Sequence, residues 1–266
     1  MIFNIFIGLI MASAFVGMIL CAKKQHVNAV AKPAAIGLLV VVVICAIMIL
    51  VHNTSEGDTA SLINNEMVYA KSSTYMLGKK VAELNPGAKV LYIVDAINEK
   101  NRRQQAMIEG FKEGCGSAIS DIKVIAPKLK KTEDSSGMMS GEMNIMELVK
   151  AKDFNKMISK NKAYKVICST IGLPYDAADL QLFKDFDKNP KKCPKLALIG
   201  GDTSKMAPLV QAGLLEALVV YSPDAKYTDD DAPDELKDAF DMRYILVTKD
   251  NLEKIKKKYP GRIFAK

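Results

Sequence analysis

The chain has 266 residues and carries 37 Lys and Arg against 30 Asp and Glu, a formal net charge of +7. Its basic residues are spread out rather than clustered with aromatic side chains, so no nucleic-acid partner is predicted. The two histidines, His26 and His52, both border an apolar segment, which argues against a His-ligated metal site or a Ser-His-Asp triad.

Two apolar runs occupy the start of the chain, at about residues 2–22 and 34–51, joined by the loop 23–33. Neither run contains a charged residue, and each has about the 20 residues that a helix needs to cross the hydrocarbon core of a membrane. A cleaved signal peptide would begin with basic residues and end at a small-residue cleavage site, which the first run lacks. The sequence therefore predicts that residues 1–53 form a transmembrane hairpin, with the lipid bilayer as a partner. Small residues that would let its helices approach closely are Gly8, Ala12, Ser13 and Gly17.

The loop between the two runs carries Lys23, Lys24 and Lys32 and no acidic residue. Short loops rich in Lys and Arg remain on the cytoplasmic side of a membrane. Both termini are therefore predicted to be extracytoplasmic, in a two-pass protein of a bacterial inner (plasma) membrane. Residues 54–266 then form an extracytoplasmic domain, tethered by a linker of about ten residues, roughly 15–20 Å as a flexible coil.

Residues 54–266 alternate between short apolar runs, typical of buried parallel strands, and stretches with helical spacing. The predicted strands are residues 89–94, 122–126, 163–168, 195–199, 218–221 and 244–247. The predicted helices are about residues 61–84, 101–114, 142–161, 176–186, 204–212, 233–240 and 251–259. Strict alternation predicts right-handed βαβ units. We therefore expect a three-layer, doubly wound α/β domain (Rossmann-like) with a mainly parallel sheet of about six strands.

Three segments of the domain carry a family resemblance: residues 90–114, 166–174 and 196–223. The first has polar residues after a strand, then Arg102 or Arg103 and the stretch Glu109-Gly110-Phe111; the third has Ile199-Gly200-Gly201-Asp202. These segments resemble the type I periplasmic-binding-protein-like fold of sugar-binding proteins and repressor ligand domains. The resemblance covers residues 61–266, about one of that family's two lobes. It implies a lobe that binds a ligand alone, pairs with a second lobe in a homodimer, or serves as a protein-interaction surface.

The candidate ligand-binding residues follow the predicted strands, because ligands of open α/β sheets bind outside the carboxyl ends of the strands. They are Asp95, Asn98, Arg102, Ser169, Thr170, Gly172, Gly201, Asp202, Thr203 and Ser204. Glycine lets the backbone approach a ligand closely. Asp202, Thr203 or Ser204 is equally suited to cap the helix that follows, so capping alone remains an alternative for that segment.

Metal sites are weakly indicated, and no metal or cofactor is predicted. A copper(I) site is an alternative interpretation of three thioethers at helical spacing, Met139, Met143 and Met146. Such spacing is typical of methionines that fill a core. The run Asp229-Asp230-Asp231 lacks the alternation of a calcium loop. Neither a zinc site nor a disulfide framework is indicated by the widely spaced cysteines of the domain, Cys115, Cys168 and Cys193.

The sequence predicts a non-enzymatic, membrane-anchored extracytoplasmic domain that binds or senses a small polar ligand or a protein partner. A second interpretation is a structural or assembly subunit of a cell-envelope complex, with the sheet as an interaction scaffold. A third is a membrane-tethered hydrolase or transferase that uses Asp95, Ser169 and Asp202, although no pairing of a base with a nucleophile supports it.

Overall fold

The structure is a computed structural model that describes residues 2–24, 30–53, 56–95, 100–127, 149–228 and 230–265. The chain divides into two compact units, Met1–Ile63 and Asn64–Lys266. The boundary between them falls inside the third helix of the chain.

The first unit contains two apolar helices, α1 (Ile2–Lys24) and α2 (Ala31–Asn53). Their mean hydropathy is 2.1 over Phe6–Lys24 and 2.6 over Ala31–Ile49, so both are long and apolar enough to cross a membrane. A signal sequence near the amino terminus would meet the same criteria. Large apolar side chains on both helices are exposed, as they are on lipid-facing surfaces.

Gly17 lies where α1 meets α2. A Cβ atom on Gly17 would be 3.0 Å from Leu38 Cδ1, the flexible end of a side chain, so the two helices are close at this position. Gly8 is not at this contact, since a Cβ atom there would have no neighbour within 4 Å among the described residues. The Ser13 hydroxyl donates to the Leu9 carbonyl of its own helix at 2.9 Å.

The second unit is built on one sheet in the order β2-β1-β3-β4-β5-β6. Its strands are β1 (Lys89–Ile93), β2 (Asp121–Ile125), β3 (Val166–Ser169), β4 (Lys195–Ile199), β5 (Leu215–Tyr221) and β6 (Tyr244–Val247). All neighbouring strands are parallel except β5 and β6. The predicted mainly parallel sheet of six strands is confirmed. The strand order reverses between β1 and β3, and such a switch point leaves a crevice at the carboxyl edge of the sheet.

Helices cover both faces of this sheet. They are α3 (Glu56–Leu84), α4 (Arg102–Cys115), α5 (Ala151–Ser159), α6 (Gln181–Lys188), α7 (Ala207–Ala212), α8 (Leu236–Arg243) and α9 (Leu252–Lys258). Alternate residues of β1 enter two different buried clusters: Val90 and Tyr92 join residues of α3, α4 and α8, whereas Leu91 and Ile93 join residues of α5, α6, α7 and α9. The predicted three-layer, doubly wound architecture is therefore confirmed.

The last crossover departs from the predicted right-handed βαβ pattern. α8 ends at Arg243 and β6 begins at the next residue, Tyr244, which pairs with Tyr221 at the end of β5. No segment returns the chain to the start of β5, as a parallel connection requires. β6 must therefore run antiparallel to β5.

The predicted flexible linker is wrong for the residues that the structure describes. α2 continues to Asn53 and α3 begins at Glu56, earlier than the predicted start near Ser61. No proline stands between Pro33 and Pro86, which favours helices as long as α2 and α3. Of the predicted helix at 142–161, residues 142–148 lie outside the described residues, and α5 forms only the part Ala151–Ser159.

α3 and α4 cross with their backbones in contact at three glycines. A Cβ atom on Gly110 would be 2.4 Å from the Lys71 carbonyl oxygen, and one on Gly114 would be 2.1 Å from the Tyr75 carbonyl oxygen. From the other helix, a Cβ atom on Gly78 would be 2.4 Å from the carbonyl oxygen of Phe111. Backbone atoms cannot swing aside as the end of a side chain can, so each position excludes every larger residue.

We expect Gly114→Ala to lower the free energy of unfolding of the α/β unit by about 3 kcal/mol, because overpacking forces a backbone shift. Lys112→Ala is the matched control, since Lys112 is exposed on the same helix, and we expect a change within about 0.5 kcal/mol. Denaturant unfolding followed by circular dichroism measures both. Equal unfolding midpoints for the two variants would show that the helices have room to separate.

Candidate functional site

A cavity of about 260 Å³ opens at the carboxyl edge of the sheet. It adjoins the ends of β1, β3, β4 and β5 and the first turns of α4, and so includes the switch point between β1 and β3. Its described lining consists of Val94, Asp95, Asn101, Arg103, Gln104, Met107, Thr170, Ile171, Ile199, Gly200, Gly201 and Tyr221.

The α4 side of the cavity is fixed by hydrogen bonds at the start of that helix. The Asn101 side chain accepts a hydrogen bond from the Gln104 backbone N–H at 3.1 Å and so caps α4. The Gln104 side chain is buried, and its Nε2 donates to Asp95 Oδ1. Gln104 thus orients the Asp95 carboxylate at the cavity. The sequence pattern does not indicate Gln104 as a site residue, because a glutamine one turn into a helix is ordinarily solvent-exposed.

Three of the predicted site residues line the cavity: Asp95, Thr170 and Gly201. On α4, Arg103 rather than Arg102 belongs to the described lining, since neighbouring helical residues point about 100° apart. Asn98 lies outside the described residues.

Ser169 and Gly172 form a hydrogen bond with each other and close the loop after β3. The buried Ser169 hydroxyl donates to the Gly172 carbonyl at 2.8 Å. Gly172 has a φ of +68°, a left-handed conformation that favours glycine. These contacts explain both residues as parts of a tight turn beside the cavity.

Asp202, Thr203 and Ser204 make capping and anchoring contacts. Asp202 Oδ1 accepts hydrogen bonds from the Ser204 N–H at 3.0 Å and the Ser204 hydroxyl at 2.5 Å. The Ser204 hydroxyl and N–H bonds hold the pKa of Asp202 below its ordinary value. The Thr203 hydroxyl donates to the Ile263 carbonyl, which ties the loop to the carboxyl-terminal segment. Capping thus has contacts that support it, whereas ligand contact at these three residues stays a prediction.

A tyrosine pair forms the β5–β6 side of the cavity. Tyr221 is 54% exposed, and its ring centroid lies 5.0 Å from that of Tyr244. Burial, then the nearby Tyr221, raises the pKa of Tyr244, while Arg103 and Arg243 act in the opposite direction. Arg103 of α4 therefore shares an electrostatic environment with the tyrosines of the opposite side. In the sequence pattern, Tyr221 is only the last residue of a predicted strand, where tyrosine is common.

Metal chemistry has little support in the part of the chain that the structure describes, where no group of three His, Cys, Asp or Glu side chains is placed to hold an ion. Met139, Met143 and Met146 lie outside the described residues, as does Asp229. The three cysteines of the domain are buried free thiols. Burial raises the pKa of Cys115 to about 12 and that of Cys193 to about 11, so neither is a reactive thiolate near neutral pH.

No protein-family model and no curated protein matches this chain. Solved structures with a similar fold include GanP, a glucose-galactose binding protein from Geobacillus stearothermophilus, at 14% identity and a TM-score of 0.40 over 74% of this chain and 57% of that chain. AraP, an arabinose binding protein from Geobacillus stearothermophilus, matches at 15% identity and a TM-score of 0.37 over 68% of this chain and 62% of that chain. A XylFII–LytSN complex matches at 14% identity and a TM-score of 0.40 over 69% of this chain and 68% of that chain.

These neighbours include sugar-binding proteins, the class to which the sequence resemblance pointed. This chain spans about three fifths of the length of the two sugar-binding proteins, 57% and 62%. At such low identity the likeness concerns the fold alone.

We expect Asp202→Ala to lower the free energy of unfolding by about 0.5 kcal/mol at pH 7, the lower end of the range for a lost helix cap, because Asp202 is exposed. A lowered pKa means that Asp202 stabilises the fold above its ordinary pKa of 3.8 and ceases to do so as the pH falls through the folded-state value. The difference from the wild type should therefore vanish in strong acid.

Thermal unfolding between pH 2 and pH 7 tests this prediction. Asp187→Ala is the control, since Asp187 is an exposed acid near the end of α6. A difference between wild type and Asp202→Ala that stays constant over the whole pH range would contradict the assignment of the carboxylate as a cap.

Proposed function

We propose that the α/β domain binds a small polar ligand in the carboxyl-edge cavity, without catalysing a reaction, and that α1 and α2 anchor it to a membrane. The observation that carries the proposal is the convergence of polar groups from separate elements on one cavity: Asp95 after β1, Arg103 on α4 and Thr170 after β3. Ligand sites of this kind place a few oriented polar groups on a partly apolar wall.

The lining indicates the chemistry of the ligand. Asp95 offers acceptors, Arg103 offers donors, and Tyr221 presents a partly exposed aromatic ring at the rim. Gly200 and Gly201 have φ values of +66° and +90° and carry no side chain, so the backbone itself borders the cavity. A mixture of donors, acceptors and an aromatic face suits a neutral ligand with several hydroxyl groups, of roughly monosaccharide size.

Asp95, Ser169 and Asp202 are the residues that a hydrolase or transferase would use, and their hydrogen bonds favour binding over catalysis. The Ser169 hydroxyl donates to a backbone carbonyl, so it is not aligned with a general base. Asp202 accepts from Ser204, and Asp95 accepts from Gln104. In this geometry, each candidate catalytic group has a structural hydrogen-bond partner.

Two features support the membrane anchor. α1 and α2 have the length and hydropathy of membrane spans, and the lysines at positions 23, 24 and 32 fall between them. In the proposed topology the chain crosses the membrane twice, the lysine-bearing loop is cytoplasmic, and residues 54–266 are extracytoplasmic. A ligand outside the cytoplasm would then be bound by a domain that cannot diffuse away from the membrane.

We expect glucose, galactose or arabinose to raise the thermal unfolding temperature of the full-length protein in detergent. A ligand that binds only the folded state stabilises it by about 2.7 kcal/mol at a hundred times its Kd, enough for a shift of several degrees. Arg103→Ala should abolish the shift, because Arg103 lines the cavity. Arg102→Ala, the matched control, should retain it.

Two results would contradict this proposal. One is the absence of a shift with these sugars and with amino acids and nucleotides tested in the same way. The other is an equal response of the Arg103→Ala and Arg102→Ala proteins. Co-purification of a stoichiometric membrane partner without any ligand shift would instead favour a subunit of an envelope complex.

We expect protease added to intact spheroplasts to cleave the α/β domain, because the proposed topology places it outside the cytoplasm. The mature protein should also retain the residues of α1, as measured by intact mass, since both helices are proposed to stay in the membrane.

Replacing Lys23, Lys24 and Lys32 with Gln removes the charges that orient the hairpin and should make the orientation mixed. A domain that is cleaved only after lysis, or a chain shortened by the first helix, would contradict the two-pass topology.

A further inference from the structure

Helix α3 is attached to the α4 side of the cavity by the glycine crossing. Gly110 and Gly114 of α4 leave no space for a Cβ atom against the backbone of α3. The same helix α4 supplies Arg103 and Gln104 to the cavity lining. Because no flexible side chains separate the two backbones at the crossing, residues 71–78 of α3 move with α4 as one body.

Nearer its amino terminus, α3 is attached to the β5–β6 side by a polar cluster. Arg243, the last residue of α8, is 6% exposed, and its Nη1 pairs with the Glu66 carboxylate of α3. The guanidinium also lies 3.6 Å from the ring centroid of Tyr69. Asn65 adds a clamp, since it donates to the Asp230 carbonyl at 3.0 Å and accepts from the Ala232 N–H at 2.9 Å.

The polar cluster is connected to the cavity through neighbouring residues of the chain and a contact between two tyrosine rings. Arg243 is followed in the chain by Tyr244, the first residue of β6. Tyr244 pairs with Tyr221 in the sheet, and their rings are in contact. Tyr221 lines the cavity. α3 therefore contacts elements on both sides of the cavity, one rigidly through α4 and one through charged and aromatic side chains.

The polar cluster is the weaker of the two attachments. Arg243 Nε is buried and has no hydrogen-bond partner among the residues that the structure describes, which is a cost for a charged group. The Glu66 side chain is 55% exposed, so water competes for its carboxylate. Tyr227, which covers the guanidinium at 4.9 Å, is 67% exposed. An attachment with these properties opens at a smaller free-energy cost than a contact between two backbones.

We propose that the pair Glu66–Arg243, with Tyr69 and Asn65, is a clasp whose closure depends on the state of the cavity. A ligand that bridges Arg103 and Tyr221 draws α4 and β5 together and keeps the clasp closed, whereas an empty cavity lets residues 64–70 of α3 detach from α8 and from the segment that precedes it. The ligand-dependent half of this inference rests on the proposed function, and the connection between cavity and clasp does not. In the sequence, only residues 54 and 55 separate α3 from α2.

Hydrogen exchange of the full-length protein in detergent, without ligand, tests the connection. Tyr221→Ala should raise exchange of residues 64–70 of α3 about tenfold, the ratio that corresponds to roughly 1.4 kcal/mol. Exchange in α5 and α6 should not change, which separates this effect from general unfolding. Tyr175→Ala is the matched control, because Tyr175 is an exposed tyrosine (64%) outside the described lining of the cavity.

The connection must also work in the reverse direction, because coupling between two sites is reciprocal. Glu66→Gln should raise exchange in β5 and β6 by a similar factor. Glu113→Gln is its control: it removes the 2.7 Å ion pair between Lys71 and Glu113, which spans the glycine crossing, and should leave β5 and β6 unchanged.

Two outcomes without ligand would overturn the clasp: a Tyr221→Ala effect confined to β5 and β6, or equal effects of Glu66→Gln and Glu113→Gln. With ligand, the clasp and the proposed function fail in different ways. A sugar that raises the unfolding temperature but leaves exchange of residues 64–70 unaltered would overturn the clasp and leave binding intact. The absence of any thermal shift would overturn binding, while the two variant comparisons would still decide the connection.

Discussion

The backbone contact between α3 and α4 is the constraint on which the cavity depends. Three glycines, Gly78, Gly110 and Gly114, set the distance between the helices, and Phe111 fixes α4 on the sheet by stacking on Tyr92 at 4.2 Å. With α4 fixed in this way, its amino-terminal turn must lie beside the ends of β1 and β3. The cavity is therefore a consequence of close helix packing as much as of the strand order.

The sequence predicts the sheet well because buried parallel strands are short apolar runs between turn signals. The helical spacing of apolar residues predicts α4. It does not predict which of the two adjacent arginines faces the cavity, since that depends on the rotation of the helix against the sheet. The sequence also does not predict the direction of β6, because a short apolar run such as Tyr244–Val247 is compatible with a parallel and with an antiparallel strand. The sequence contains Gly78, Gly110 and Gly114, but it does not indicate their role, because that depends on which backbone packs against each of them in the tertiary structure.

The residues of the candidate site likewise divide into those that the sequence predicts and those that depend on tertiary contacts. Asp95, Thr170 and Gly201 could be predicted to lie near one another because the carboxyl ends of parallel strands meet at one edge. Gln104 and Tyr221 could not, since one is a polar helix residue whose burial beside Asp95 depends on tertiary packing and the other is a strand residue by every local criterion. For Asp202, the sequence allowed both capping and ligand contact, and the bonds to Ser204 supply the contacts of a cap.

The two attachments of α3 differ in the kind of contact that makes them. α3 buries apolar side chains along much of its length, among them Ala70, Leu77 and Val81. It also combines a rigid crossing at Gly78 with a charged contact between the half-exposed Glu66 and the buried Arg243, near the end that leads to α2. Since an ion pair costs less to open than a backbone contact, any movement of the two cavity walls relative to each other would be concentrated at the contact of Glu66 with Arg243. On α3, this contact lies closer in sequence to the proposed anchor than the glycine crossing does.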